Sequence, residues 1–410
     1  MKNFKIWNPI RFLHICKAAF CFFFCCSFFL ISLFVLPVPV PASSAPAVSS
    51  PSVVLMDADT GTVLYAKDEN TERPLASVTK VMTLLLIFEA LEEGKFTLQD
   101  TVTVSAHAAG MGGSQVYLEE NETQTVDTMI KCIAVASAND ASVAMAEFVS
   151  GSEEAFVSEM NAKAAELGME HTHFVNACGL DADGHYSSAL DIALMSRELT
   201  VSYPQIFEYT SIWMEDITHH TKKGDSTFTL SSTNKLIKQY PYATGLKTGS
   251  TSQAKFCLSA TASKDNVHLI AAIMAADDSK TRIADAISLF NWGFTNCRLY
   301  TDENADVLPA IPVTGGKQSS LPICYSGAFR YLDTGGSSES LSKTLDLPES
   351  LEAPVTGGDA VGKALYFLGE TQVGEVEILA AETVERLTFR DSLRMLSQAL
   401  FLGNTAEIFT

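Results

Sequence analysis

Between Glu72 and Lys95 the chain reads ERPLASVTKVMTLLLIFEALEEGK, with Pro74 near its start, apolar side chains on every face from Val81 to Phe88, and Gly94 as a stop. A surface helix needs one polar face, and this stretch offers none. It must be buried all round, so the fold is built around a central helix.

The flanking segments supply the surrounding layers. SVVLMDADTGTVLYA, from Ser52, reads as two β-rich runs around Asp59-Thr60-Gly61, a hairpin. KFCLSATA and VHLIAAIMA, separated by Ser263-Lys-Asp-Asn266, form a second one. Residues from about 125 to 167 are alanine-rich and helix-periodic, a helical lobe broken at Ser137 where Ser, Asn and Asp cluster. A helix with Ile283, Ile287 and Phe290 on one stripe closes the unit near Trp292-Gly293. Strands at both ends with helices between them imply one sheet assembled from distant segments, an α+β plan.

From Leu299 to about Thr383 the texture changes to short β-rich runs punctuated by Gly, Pro and Thr, a small all-β domain. The closing stretch ERLTFRDSLRMLSQALFLG returns to helical period. Phe389, Leu393, Leu396 and Leu400 fall on one stripe, and Arg386, Arg390 and Arg394 on another. The expected division is therefore 1–47, 48–297, 298–383 and 384–410. No internal repeat is evident.

The first of these segments carries Lys2, Lys5, Arg11 and Lys17 and no acid, then an apolar run from Ala18 to Leu36, then the small-residue site Ala45-Pro-Ala47. It reads as an export signal. The apolar run nearly reaches the length that spans a bilayer, so an uncleaved anchor stays open beside a cleaved peptide. The whole chain of 410 residues has a net charge of −20, and removing that basic segment leaves the body more acidic still. Nucleic-acid binding relies on Lys and Arg neutralising phosphates, and this charge balance excludes it. Of nine cysteines, Cys132, Cys178, Cys257, Cys297 and Cys324 lie beyond the signal, an odd number among apolar or small neighbours. They are expected to be buried, reduced thiols.

Three polar constellations occur in a fixed order: Ser77-x-x-Lys80, Ser137-Ala-Asn139 and Lys247-Thr248-Gly249. The first pattern alone is weak, since Ser232/Lys235, Ser252/Lys255 and Ser340/Lys343 repeat it, and Ser232-Thr-Asn234 imitates the second. Only Ser77 opens a long apolar helix, where Lys80 is one turn on and on the same face. A serine hydroxyl is a poor nucleophile until a base takes its proton. Lys80 can act so if discharged, and burial plus a second cation, Lys247, both push its pKa down. Ser137 beside two lysines can relay a proton to a leaving amine, and the Asn139 amide can orient Lys80 and a substrate carbonyl. Lys247-Thr-Gly precedes the second hairpin, which places it on an edge strand facing Ser77. Gly249 there is expected to let a substrate backbone come close, and the N–H groups of Ser77 and Ser250 to serve a developing oxyanion. His171, His173, Cys178 and His185 match no closed zinc-site spacing, so no metal is expected. His185 to Asp191 reads instead as a loop ending in a helix cap.

With these residues in place, the chain resembles the low-molecular-weight penicillin-binding proteins that act as serine D-alanyl-D-alanine carboxypeptidases. The likeness runs from about Ser50 to the C-terminus through ASVTKVMT, ASANDA, FVN-x-x-GL-x-x-x-GHYS, GLKTGST and NWGF. It departs where Ala177-Cys178 replaces the family's usual Pro-His between Asn and Gly, and in the length of its apolar N-terminal run. The resemblance implies a transpeptidase/β-lactamase-like domain, an antiparallel sheet flanked by helices with a helical lobe, followed by the β-rich domain and an amphipathic helix on a membrane surface. It implies Ser77 as acylated nucleophile, Lys80 as base, Ser137 and Asn139 as relay and orienter, and Lys247 with Thr248 as substrate partners. Arg282 would read a terminal carboxylate through its two parallel N–H donors. The implied substrates are peptidoglycan stem peptides, with β-lactams as covalent inhibitors, no cofactor, and a place outside the cytoplasmic membrane. A β-lactamase would need a positioned Glu; Glu166 and Glu170 lie between Ser137 and Lys247, but no E-x-x-x-N does. An inactive wall-binding scaffold is the rival of a different class.

Overall fold

The computed structural model describes residues 45–222, 224–334 and 340–402. The basic and apolar run read as an export signal lies outside the described residues. Among the described residues no helix is long and apolar enough to cross a membrane.

Five antiparallel strands form the main sheet: β1 (Ser52–Asp57), β2 (Val63–Lys67), β7 (Ala243–Thr251), β8 (Lys255–Lys264) and β9 (Val267–Ala276), in the order β2-β1-β9-β8-β7. Both expected hairpins are present. The second turns on Asp265 and Asn266 alone, both at positive φ, the two-residue turn whose twist suits antiparallel strands. Side chains alternate across the sheet. Val54, Met56, Ile270, Ala272 and Met274 pack into the core around the central helix α1 (Lys80–Glu92). Val53, Leu55, Leu269, Ala271 and Ile273 meet Ile283, Ala286, Leu289 and Phe290 on the opposite face.

Helix α1 is buried from Lys80 to Phe88, enclosed as its composition requires. The lobe beside it consists of α2 (Val126–Ala134), α3 (Asn139–Ser150) and α4 (Glu153–Glu166), with Ser137 at the break between the first two. Helix α5 (Ala189–Ser202) lies between α1 and the sheet and is capped by the Ser188 hydroxyl, which accepts from Asp191 N–H, as the loop-to-cap reading expected. Two small two-stranded units, β3 (Thr101–Thr103) with β4 (Thr123–Thr125), and β5 (Met214–Thr221) with β6 (Gly224–Ser231), complete the lobe's rim.

Three details differ from the sequence reading. The α-helix starts at Lys80, and Ala76–Thr79 form a 3₁₀ turn entered from Ala76 at φ 48°. Helix α6 (Ser279–Asn296) continues past Gly293, because that glycine answers to packing: a Cβ there would stand 2.6 Å from Leu269 and 3.0 Å from Leu55. Of the five cysteines, Cys132, Cys178 and Cys257 are buried, but Cys297 is half-buried and Cys324 is exposed.

The C-terminal β domain has its own core, with Tyr366 stacked on Phe329 at 3.7 Å between ring centroids. Its strands are β10 (Arg298–Asp302), β11 (Ile311–Thr314), β12 (Ser320–Leu321), β13 (Ile323–Tyr325), β14 (Phe329–Asp333), β15 (Leu341–Asp346), β16 (Leu351–Glu352), β17 (Ala360–Leu368) and β18 (Thr371–Ala380). The last helix, α7 (Phe389–Leu402), opens with a reciprocal cap between Thr388 and Asp391. Arg386 precedes it and belongs to the β domain, its guanidinium donating to the Ala353 carbonyl and to Glu352. The arginine stripe of the helix is thus Arg390 and Arg394 only. Phe389 is 84% exposed, and Leu393, Met395 and Leu396 are exposed with it; the side chain of Leu400, the fourth member of the expected stripe, lies outside the described ones.

Candidate active site

The 3₁₀ geometry brings residues three apart onto the same side, and so sets Ser77 Oγ over Lys80 Nζ, which donates to it at 3.1 Å. Lys80 Nζ also donates to Asn139 Oδ1 at 2.7 Å and to the Cys178 carbonyl at 2.6 Å. Its three partners are all uncharged, and its side chain is fully buried. Burial pushes its pKa down to about 8, against an opposing pull from Cys178 and Asp140.

Asn139 begins α3, and its own amide donates to the Gly112 carbonyl. The next residue, Asp140, is buried and accepts from the backbone N–H groups of Val116 and Leu118, tying the 110–118 loop to the site. Ser137 lies two residues before α3, at φ 61°, with its hydroxyl accepting from Lys247 Nζ at 2.8 Å. Lys247 Nζ donates also to the Thr248 carbonyl. Burial, then the charges of Lys80 and Arg282, hold Lys247 well below the ordinary lysine value.

Strand β7 is one of the two edges of the main sheet, and it runs against the Ser77 turn as expected. The close approach at Gly249 is by the chain's own backbone and not by a substrate. A Cβ there would lie 2.8 Å from Leu75 O, 2.9 Å from Val78 N and 3.0 Å from Ser77 N. Ser250 follows on the same strand and is exposed. Thr248 Oγ1 is 2.8 Å from Thr233 Oγ1, so the serine motif imitated at Ser232-Thr-Asn234 borders the site without belonging to it.

Arg282 is buried in α6. One guanidinium nitrogen donates to the carbonyls of Gly249 and Cys257, and its Nε has no hydrogen-bond partner among the described residues. Its charge therefore sits directly behind the Lys247-Thr-Gly strand. Hydrogen bonds and close backbone contacts bring Ser77, Lys80, Ser137, Asn139, Lys247, Thr248 and Gly249 into one neighbourhood, with Ser250 and Arg282 on its β7 side.

Two contributions were not read from the sequence. The Cys178 carbonyl is a backbone group, and any residue could carry it; the signal was Asn176, whose Oδ1 accepts from the Cys178 and Gly179 N–H groups and shapes the turn. Asp140 looked like part of a polar cluster, and only its burial reveals its grip on the loop. Among the described residues no group of three or more His, Cys, Asp or Glu is placed to hold a metal ion. His173 Nδ1 is hydrogen-bonded to the Gly184 carbonyl, and the Cys178 thiol donates weakly to Asn176.

A family model for D-alanyl-D-alanine carboxypeptidases matches residues 40–278, and one for the C-terminal domain of penicillin-binding protein 5 matches residues 300–386. The chain is 40% identical over 340 residues to the D-alanyl-D-alanine carboxypeptidase DacF of Bacillus subtilis, across 82% of this chain and 86% of that one. Penicillin binding protein 5 from Haemophilus influenzae has the same fold at a TM-score of 0.70 and 28% identity, covering 84% of this chain and all of its own. The Streptomyces K15 DD-transpeptidase matches at a TM-score of 0.58 and 26% identity, over 62% of this chain and all of its own. The chain belongs to the D-alanyl-D-alanine carboxypeptidase family of serine peptidases.

Proposed function

We propose that this protein removes the terminal D-alanine from peptidoglycan stem pentapeptides through an acyl-enzyme on Ser77. Ser77 Oγ attacks the penultimate carbonyl while its proton passes to uncharged Lys80. The resulting oxyanion is held by the N–H groups of Ser77 and Ser250. Collapse expels D-alanine, whose amine takes a proton through Ser137, itself hydrogen-bonded to Lys247. Water then attacks the Ser77 ester, releasing the shortened peptide and restoring the hydroxyl. Thr248 and the charge of Arg282 serve the terminal carboxylate from the β7 side. The observation that carries this reading is the 3.1 Å contact between Ser77 Oγ and a buried lysine that has no carboxylate partner among the described residues.

Penicillin acylates the same hydroxyl. Among the described residues no carboxylate is hydrogen-bonded to Ser77 or Lys80, which leaves no counterpart of the deacylating Glu of a β-lactamase and favours a long-lived adduct. Intact-mass measurement after penicillin treatment should show one adduct on the wild type and none on Ser77→Ala, with D-alanine released from a pentapeptide by the wild type only. An unlabelled wild type, or an equally labelled mutant, refutes the assignment.

The same reading places the protein outside the cytoplasmic membrane, delivered by the N-terminal segment. Helix α7 then lies on the lipid surface: Phe389, Leu393 and Leu396 of its apolar stripe are exposed, and Arg390 and Arg394 set two cations beside them in a chain of net charge −20.

A further inference from the structure

The geometry points to Thr79 and His185 as the positioning device for acylation: together they lock the left-handed entry at Ala76 that aims Ser77 Oγ at Lys80. This inference rests on the acyl-enzyme reading above and names residues that reading does not use.

Thr79 is fully buried next to Lys80 and its hydroxyl donates to the Ala76 carbonyl at 2.8 Å. A threonine hydroxyl has one proton, so toward His185 Nε2, also 2.8 Å away, it must accept. The tautomer follows independently. Val175 N–H donates to His185 Nδ1 at 3.0 Å, so Nδ1 is bare and the ring proton sits on Nε2, aimed at Thr79. One directed chain therefore runs from Val175 N–H through the imidazole and the hydroxyl to the Ala76 carbonyl. Burial, with the neighbouring charge of His173 adding to it and Asp181 opposing, holds the His185 pKa down to about 4, which keeps the ring neutral and this order intact.

The chain ends where support is most needed. Ala76 has φ 48°, a conformation an L-residue adopts only when its surroundings impose it, and Ser77 is the next residue. Gly179 backs the same carbonyl from the other side: it has φ 86°, and a Cβ there would fall 2.0 Å from Ala76 O and 2.8 Å from Thr79 Oγ1. The 174–185 loop thus serves twice. Its Cys178 carbonyl fixes Lys80, and its His185 fixes the turn that holds the nucleophile. Neither Thr79 nor His185 is hydrogen-bonded to Ser77, so their effect on chemistry is through orientation.

The test compares Thr79→Val, Thr79→Ser, His185→Phe and His185→Gln with the wild type, using a fluorescent penicillin for the acylation rate and a D-alanyl-D-alanine peptide for kcat and KM. Thr79→Val and His185→Phe should each slow acylation and kcat by about 10- to 100-fold, the scale of a small misplacement, with KM within about twofold. Thr79→Ser, which keeps the hydroxyl, and His185→Gln, which keeps a donor toward it, should recover most of the rate. The double variant should be no slower than the slower single, as for parts of one device. Wild-type rates in Thr79→Val or His185→Phe, a serine variant no faster than the valine one, or losses that multiply in the double overturn the inference. If a variant fails to melt cooperatively, its conservative partner at the same position, folded yet slow, overturns it equally. A wild type that takes up no penicillin refutes the acyl-enzyme reading and this device with it; an acylated wild type with equally fast variants refutes the device alone.

Discussion

Lys80 meets three oxygens and, among the described residues, no anion, an unusual setting for a buried ammonium group, and one that favours loss of its proton. With a pKa of about 8, the neutral amine that can accept the Ser77 proton grows with pH, by roughly tenfold per unit on the acid side. Acylation by penicillin should therefore rise steeply between pH 6 and 8 and level off above, and a flat profile over that range would exclude Lys80 as the base. The stability linkage has the opposite origin but a related sign. Between about 8 and the ordinary lysine value of 10.5 the unfolded chain binds more protons than the folded one, so this group makes the fold more stable as pH rises through that window. At this scale the pattern singled out Ser77, Lys80, Ser137, Asn139 and Lys247, and the structure links them by hydrogen bonds, Lys80 to Ser77 and Asn139 and Lys247 to Ser137. The sequence was silent on the Cys178 carbonyl, which has no residue identity, and on whether Arg282 was solvated or buried, which its position on a helix does not decide.

Among the elements, β7 and the Ser77 turn depend on each other most directly. Only a glycine at 249 lets them touch, because the atoms facing the absent Cβ are backbone and cannot turn aside. Gly249→Ala should part strand and turn by a few tenths of an ångström or more and lower the acylation rate by about 100-fold, while the thermal midpoint changes little. An alanine variant with wild-type acylation would mean that the turn is held without the strand. The hairpins and the enclosed helix were legible because their signals are local: period-two alternation, turn residues, and an apolar run with no polar face. The 3₁₀ turn was not, since Ala76 has no intrinsic preference for positive φ and is forced there by Gly179, Thr79 and β7. Gly293 shows the same limit from the other side. Read locally it is a helix stop, and only the sheet beneath it reveals that it makes room for Leu55 and Leu269.

At the scale of the whole molecule, the exposed stripe of α7 is the feature the fold leaves uncompensated. A protein ending after Thr388 should keep its acylation rate but lose sedimentation with vesicles containing anionic lipid, and equal sedimentation of both forms would locate membrane affinity elsewhere. The β domain retains its own core in such a truncation, since Arg386 and Val384 are still present to close it. The order of strands in the main sheet has a different bearing. Ser52 pairs with Met274, so β1 waits for a partner made about 220 residues later, and neither face of the enclosed helix can be finished before then. For a polypeptide emerging from its N-terminus, assembly of the site is consequently a late and nearly simultaneous event. Half-made chains carry the serine and its lysine but no reactive centre, which keeps an acylating nucleophile silent until the last strand has arrived.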